Sequence, residues 1–259
     1  MAEKVDYAAL KKGGFMRQKQ KGCFSLRLAV VGGNLTAENI KTVAEVAEKY
    51  GHGYVHMTSR QGIEIPFIKV EDINEVKEEL AKGGVGTGVC GPRVRTITAC
   101  QGAAICPSGC IDTYTLAKEL DARYFGRELP HKFKFGVTGC QNNCLKAEEN
   151  DVGIKGGMTV ECNHDDCIQC GVCVKACREG ALRMEDGKIV IDREKCNNCA
   201  RCGSESRGIS FPLVDYLEIR FIKVNRLFRS SVIKKLFSES QMRLFHFLKS
   251  MQMQVSVFD

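Results

Sequence analysis

Two pairs of cysteines carry the chemistry that the rest of the chain must position. Cys100 and Cys106 lie in TACQGAAICPSGC, and Cys140 and Cys144 in GVTGCQNNC, giving C-x5-C, a long gap, then C-x3-C. Thiolates are soft ligands suited to iron–sulfur clusters, and four of them complete one 4Fe-4S cube. Glycine and small polar residues around the second pair let backbone approach a cofactor closely. Two further runs follow: Cys167, Cys170, Cys173 and Cys177 as C-x2-C-x2-C-x3-C, then Cys196, Cys199 and Cys202 with the same opening spacing. The chain holds 15 cysteines, an odd count, so at least one lies outside any set of complete four-cysteine sites. Cys23, Cys90, Cys110 and Cys162 have no cluster assignment, and the default for each is a small buried hydrophobe.

Composition narrows the setting. The start, MAEKVDYAALKKGGFMRQKQKG, has no apolar core segment and does not read as a secretory signal. No stretch approaches the roughly 18 apolar residues of a membrane span. A cytoplasmic protein with no membrane span is expected, where thiols mean metal or redox chemistry rather than disulfides. The net charge is +7 over 259 residues, yet there is no nucleic-acid motif, no long basic run and no Trp. The basic excess serves an anionic ligand and the carboxylates of a cofactor, with most lysines simply solvated.

The elements that hold these residues read as an α+β chain. FSLRLAVVGG (24–33) alternates and ends in a Gly-Gly turn, as a strand does. Thr36 is the predicted N-cap of AENIKTVAEVAEKY, which Gly51 terminates. YVHMTS (54–59) and GIEIPFI (62–68) are strands, and Pro66 places the end of the second at an edge or bend. VEDINEVKEELAKGG (70–84) is an amphipathic helix, so 23–84 reads β-α-β-β-α. His56 on the YVHMTS strand is a core or surface histidine rather than a ligand. A Gly-rich loop at 83–91 matches neither phosphate-binding glycine motif. A helix is expected over 107–126, capped near Ser108, and a strand over 129–140, on which Lys132 and Lys134 share one face. GALRMEDGKIVIDREK reads as a strand pair with an Asp-Gly turn. Beyond 206 the chain is basic and Phe-rich. Leu213, Leu217, Phe221, Val224 and Phe228 recur at spacings of three and four, which predicts one or two amphipathic helices able to cover a neighbour, lie on a membrane surface or bind a partner.

The four cysteines of the first two pairs, the HMTSRQ strand and LPHKFK together resemble the siroheme sulfite and nitrite reductases over residues 15–203. The resemblance implies that Cys100, Cys106, Cys140 and Cys144 hold a 4Fe-4S cube and that Cys144 also bridges it to the siroheme iron. It places Arg27, Arg95, Lys132 and Lys134 on the anionic substrate and Arg60 on a siroheme carboxylate. Arg93, next to Arg95, could be mistaken for it. Taken alone, each of these cations would read as a solvated or salt-bridged side chain. The runs at 167–177 and 196–202 resemble a bacterial two-cluster ferredoxin, in which the fourth cysteine of each run ligates the other cluster. Cys177 would then join Cys196, Cys199 and Cys202. The other cube has Cys167, Cys170 and Cys173, and its expected fourth ligand falls on Ser206. A serine oxygen is a harder, poorer ligand than a thiolate. A labile cube, a three-iron cluster, or rescue by another residue such as Cys162 follows. Zinc competes in principle, but two such runs are more specific for iron–sulfur.

The expected division is a ferredoxin-like half-domain at 1–86, a siroheme and 4Fe-4S core at 87–160, a two-cluster module at 161–206 and an atypical tail at 207–259. Loss of the family pattern in mid-run leaves a divergent tail or an altered reading frame beyond about residue 203. The implied activity is six-electron reduction of sulfite to sulfide or nitrite to ammonia, with electrons entering through the module from a donor protein. The alternative is an electron-transfer subunit without siroheme. Long members of the family contain two related halves; this chain has one, which implies a homodimer or a paralogous partner subunit.

Overall fold

The computed structural model describes residues 5–203, 208–210, 215–221 and 254–258. The chain gathers into two units, neither continuous in sequence: Met1–Ala99 with Tyr114–Phe135, and Cys100–Thr113 with Gly136–Asp259.

The first unit contains α1 (Tyr7–Lys12), β1 (Phe15–Arg17), β2 (Cys23–Arg27), α2 (Ala37–Tyr50), β3 (His56–Met57), β4 (Ile63–Lys69), α3 (Ile73–Lys82), β5 (Thr98–Ala99) and most of α4 (Thr113–Tyr124). The expected β-α-β-β-α order over 23–84 is present, as an antiparallel sheet in the order β1-β2-β4-β3. Alternation on β2 buries Phe24 and Leu26, and β4 adds Ile65 and Ile68. Val43 and Val46 of α2 and Val76 and Leu80 of α3 complete this core. Each such side chain contributes about 1.5–3 kcal/mol by leaving water.

Thr36 caps α2 as expected. Its hydroxyl accepts from the Asn39 N–H at 3.1 Å, and the Asn39 side chain accepts from the Thr36 N–H at 3.1 Å. Gly51 ends the helix where a Cβ would sit 2.8 Å from the Ala47 carbonyl oxygen. Pro66 does not end its strand. It lies inside β4 at a bulge, where Phe24 pairs with Ile68 but Leu26 pairs with Ile65. A bulge is where a strand tolerates proline, because no ladder hydrogen bond is needed there.

The second unit contains β6 (Phe135–Thr138), β7 (Val152–Met158), β8 (Glu161–Cys162), α5 (Val172–Ala176), β9 (Leu182–Glu185), β10 (Lys188–Ile191), β11 (Ile209–Ser210), β12 (Asp215–Phe221) and β13 (Gln254–Phe258). Strands lie in the order β13-β12-β7-β6, with β12 antiparallel to β7 and parallel to β13. The β9–β10 hairpin closes through Asp186 and Gly187, both at positive φ (48° and 75°), which is the expected Asp-Gly turn.

Three expectations are corrected. The helix expected from 107 begins at Thr113, because 100–111 folds back on itself: Ala103 N–H donates to Ile111 O at 2.9 Å and Cys106 N–H to Gly102 O at 2.8 Å. The strand expected over 129–140 shortens to Phe135–Thr138, with Phe133 making an isolated bridge to Val94. The helical tail is overturned at Asp215–Phe221, which is strand β12. LEIRF (217–221) alternates apolar and polar residues with period two, and pairing with β7 selects that pattern over the Leu217–Phe221 spacing of four. Leu213, Val224 and Phe228 lie outside the described residues, as does Ser206.

Candidate active site

The first unit opens a cleft of about 260 Å3 lined by Arg27, Arg60, Arg95, Lys132 and Lys134, with Glu64 among them. All five cations singled out in the sequence therefore share one cavity. Arg27 leaves the end of β2 and pairs across the sheet with Glu64 of β4, its register partner, at 2.5 Å (Nε to Oε1). Its Nη1 also lies 3.4 Å from Cys90 Sγ. Burial works against the Arg27 charge, but Glu64 and then Cys90 outweigh it and hold the guanidinium above its usual pKa. Arg95 Nη1 donates to Val89 O, and Nη2 to Gly91 O at 3.1 Å, so this side chain clamps the Gly-rich loop. Arg60 Nη2 donates to Thr96 O at 3.2 Å. Lys132 and Lys134 flank bridged Phe133 and reach the same cleft. Arg93 is held elsewhere, donating to Glu128 at 2.7 Å.

Sequence reasoning missed Glu64 and Gln61. The Gln61 amide donates to Ala99 O at 2.8 Å and accepts from Ala99 N–H at 3.0 Å, fixing β5 from both sides. Its positive φ of 56° was not written in residue type. The Glu64 role follows from strand register, which only the folded sheet supplies.

In the second unit the two distant cysteine segments meet. Cys100 N–H donates to Val137 O at 3.0 Å, and Gly139 N–H donates to Cys100 Sγ at 3.1 Å. A Cβ at Gly139 would lie 2.9 Å from Gly102 Cα, so only glycine lets these loops approach. Burial pushes the Cys140 thiol above its ordinary pKa, and neighbouring Cys106 and Cys100 add to the rise, against backbone N–H groups of Asn142 and Asn143. Cys144 is exposed, four residues further on. Its loop is held by a half-buried pair that residue spacing does not reveal: Lys155 Nζ meets Glu148 Oε1 at 2.7 Å, and Glu148 in turn accepts from Asn143 Nδ2.

The module cysteines fall into two groups. Burial pushes the Cys202 thiol up to about 11, and Cys196, Cys199 and Cys177 surround it. Ala181 N–H donates to Cys177 Sγ at 3.3 Å. Burial likewise raises Cys173, beside Cys167 and Cys170. The two loops are structural repeats: Gln169 and Gly171 (φ 58° and 69°) match Asn198 and Ala200 (φ 57° and 62°). Cys140 and Cys199 line one further cavity, and Met158 N–H donates to Asn198 O at 2.9 Å, so the Cys140 and Cys199 loops are neighbours.

Among the described residues no three His, Cys, Asp or Glu side chains gather as a single metal ion would need. Four zinc–sulfur bonds of about 2.3 Å at a tetrahedral centre bring sulfurs to roughly 3.8 Å of one another, whereas a cube holds its thiolates apart by its own width. Soft donors in two loops, with backbone N–H groups aimed at their sulfurs, fit an iron–sulfur cube. The cationic cleft fits the carboxylates of an acidic tetrapyrrole or a small anion. Among the described residues no helix is long and apolar enough to cross a membrane.

Residues 16–83 match the nitrite/sulfite reductase ferredoxin-like half domain, and residues 90–189 the nitrite and sulphite reductase 4Fe-4S domain. The chain belongs to the nitrite/sulfite reductase family. It is 33% identical over 170 residues to a coenzyme F420-dependent sulfite reductase of Methanocaldococcus jannaschii, covering 65% of this chain and 27% of that protein. It is 32% identical over 196 residues to a subunit of the anaerobic sulfite reductase of Salmonella typhimurium, covering 69% of this chain and 58% of that protein. It thus spans between about a quarter and three-fifths of these relatives' lengths. The fold is like that of dissimilatory sulfite reductase I, with a TM-score of 0.59 at 20% identity over 90% of this chain and 70% of that one.

Proposed function

We propose that this member of the family is a siroheme and 4Fe-4S oxidoreductase that reduces sulfite to sulfide, or nitrite to ammonia, by six electrons. The observation that carries the reading is the meeting of Cys100, Cys106 and Cys140 from segments over thirty residues apart, with Gly139 N–H on the Cys100 sulfur. Cys144 would complete the cube and, being exposed, is the thiolate available to a second iron. Siroheme, when bound, supplies the iron that takes the anion and delivers electrons to it.

The chain's own residues supply charge and protons. Arg27, Arg95, Lys132 and Lys134 would hold the anion, and Arg60 a cofactor carboxylate. An opposite charge at about 4 Å contributes roughly 4 kcal/mol at an effective dielectric near 20, so several cations aimed at one anion dominate its binding. The oxygens of sulfite must leave as water, and each departure takes protons. Lysine is the donor of choice here, because arginine keeps its proton at every working pH. An electron carrier without siroheme has no use for five cations in one cleft.

The Cys140 and Cys199 loops share a cavity, which favours entry of electrons through the module and the Cys177, Cys196, Cys199, Cys202 cube. The relative named as one subunit of a reductase favours assembly with a second copy or a paralogous chain. Anaerobic purification followed by a visible spectrum, and by sulfite- and nitrite-dependent oxidation of reduced viologen, tests the activity. A tetrapyrrole spectrum with turnover is expected; iron–sulfur absorption alone, with no turnover, would leave an electron carrier. Ultracentrifugation showing an active monomer would remove the paired assembly.

A further inference from the structure

We infer that the second cube of the module is held by Cys162, Cys167, Cys170 and Cys173, a single contiguous segment, instead of by an exchanged ligand at position 206. This rests on the iron–sulfur reading above. All four sulfur-bearing residues line one small pocket, closed by apolar Ile189 and Ile209. Cys162 ends β8, and its pairing with Ile209 of β11 sets it beside the start of the Cys167 run. Its thiol lies near those of Cys167 and Cys173. Its further neighbour is His164, with Nδ1 at 3.7 Å from Sγ.

Gly208 shows how tightly the pocket is built. A Cβ there would lie 2.8 Å from Cys167 Cα and 3.3 Å from its sulfur. The chemistry points the same way. A cube bound by three thiolates and a serine oxygen is poorly matched, since the oxygen is the harder donor. Cys162 supplies a fourth thiolate without any change in the chain. The two cubes then differ: the one at Cys196, Cys199 and Cys202 borrows Cys177, while its neighbour lends a ligand and receives none.

The test is iron and acid-labile sulfide per chain, with electron paramagnetic resonance, on the full chain reconstituted anaerobically. Three complete cubes correspond to about twelve iron atoms, counted apart from any siroheme iron. Cys162→Ser is expected to fall to about eight, or to show the signal of a three-iron cluster when oxidised, and to match Cys170→Ser. Cys23→Ser, in the other unit, is expected to keep the full count. Adding Ser206→Cys to the Cys162→Ser chain is expected to restore the missing cube, which separates loss of a ligand from loss of the fold. The inference is overturned if Cys162→Ser keeps its iron and spectrum while Cys170→Ser loses them. It is also overturned if the unaltered chain holds about eight iron atoms and Ser206→Cys alone raises that to twelve. A chain that takes up no iron at all would sink the broader reading as well.

Discussion

Arg27 and Glu64 face one another across β2 and β4, and Glu64 sets a carboxylate against the five cations of the cleft. Glu64 both holds Arg27 and opposes any incoming anion. Replacing it with glutamine keeps the shape, removes a negative charge and leaves Arg27 able to turn toward a ligand. Glu64→Gln is therefore expected to tighten sulfite or nitrite binding several-fold, read as a lower KM or a lower Kd. Unchanged or weaker affinity would show that Glu64 serves to aim Arg27 rather than to restrain it. The thiols give a second prediction at this scale. Burial raises Cys140 and Cys173, and brings Cys202 to about 11, so each holds its proton more firmly than an unfolded cysteine would. Iron must displace those protons. Uptake of iron and sulfide by the metal-free chain is expected to quicken from about pH 7 to about pH 9. The sign for stability is opposite. A thiol whose folded pKa is raised contributes fully below the unfolded value, and that contribution is lost as pH rises through the raised folded value; Cys140, outside the module, is the thiol for which this holds without metal. The metal-free chain should therefore melt at lower temperature at alkaline pH, as circular dichroism would record.

At the scale of elements, the two cysteine loops of the module repeat one backbone course, with Gly171 in one where the other has Ala200. Gly171 takes its positive φ of 69° freely, whereas Ala200 holds 62° with a Cβ. A non-glycine residue in that region costs on the order of 1 kcal/mol. Ala200→Gly is expected to stabilise the module by about that much, and Gly171→Ala to destabilise it similarly. Open space around Gly171 means that strain alone, not a clash, sets the second effect. Denaturant midpoints that do not move in opposite directions would refute the repeat. Legibility in the sequence follows the same division between local and distant causes. Thr36, Gly51 and the Asp186-Gly187 turn were readable because caps and turns depend on neighbours in sequence. The start of α4 was not, because 107–112 is drawn into the cysteine loop by contacts with Gly102 and Gly139. DYLEIRF carried both a period of two and a spacing of four, and only pairing with β7 chose between them. For the site, the cysteines were legible by type and spacing, and the cations only through the resemblance of the stretches around them to the reductase family. Glu64, Gln61 and the Lys155–Glu148 pair were not, since their roles arise from register and burial.

Across the whole molecule, the two units draw their stability from different sources. The first has a core cluster of fifteen buried side chains, from Phe15 to Val85, none of them a cysteine, and further buried side chains such as Ile97, Leu116 and Phe135. Among the described residues the core cluster of the module within the second has six, and two of these, Cys173 and Cys202, belong to the proposed cluster ligands. Val160, Leu182, Ile189 and Ile209 are too few to offset the entropy of ordering some fifty residues, so the iron–sulfur ligation proposed above would supply much of the folding energy. The thiols that the cubes would hold are themselves part of the apolar packing. Removing iron then withdraws both the crosslink and the alignment of the loops, while leaving the first unit's sheet and helices untouched. Amide hydrogen exchange on the metal-free chain is expected to show protection retained through β2, α2, β4 and α3, and lost through β8, α5, β9 and β10. Reconstitution should return protection to the second set alone. Equal loss in both units would mean that they unfold as one cooperative body. Protection that survives in the hairpin without iron would mean that its small apolar core suffices.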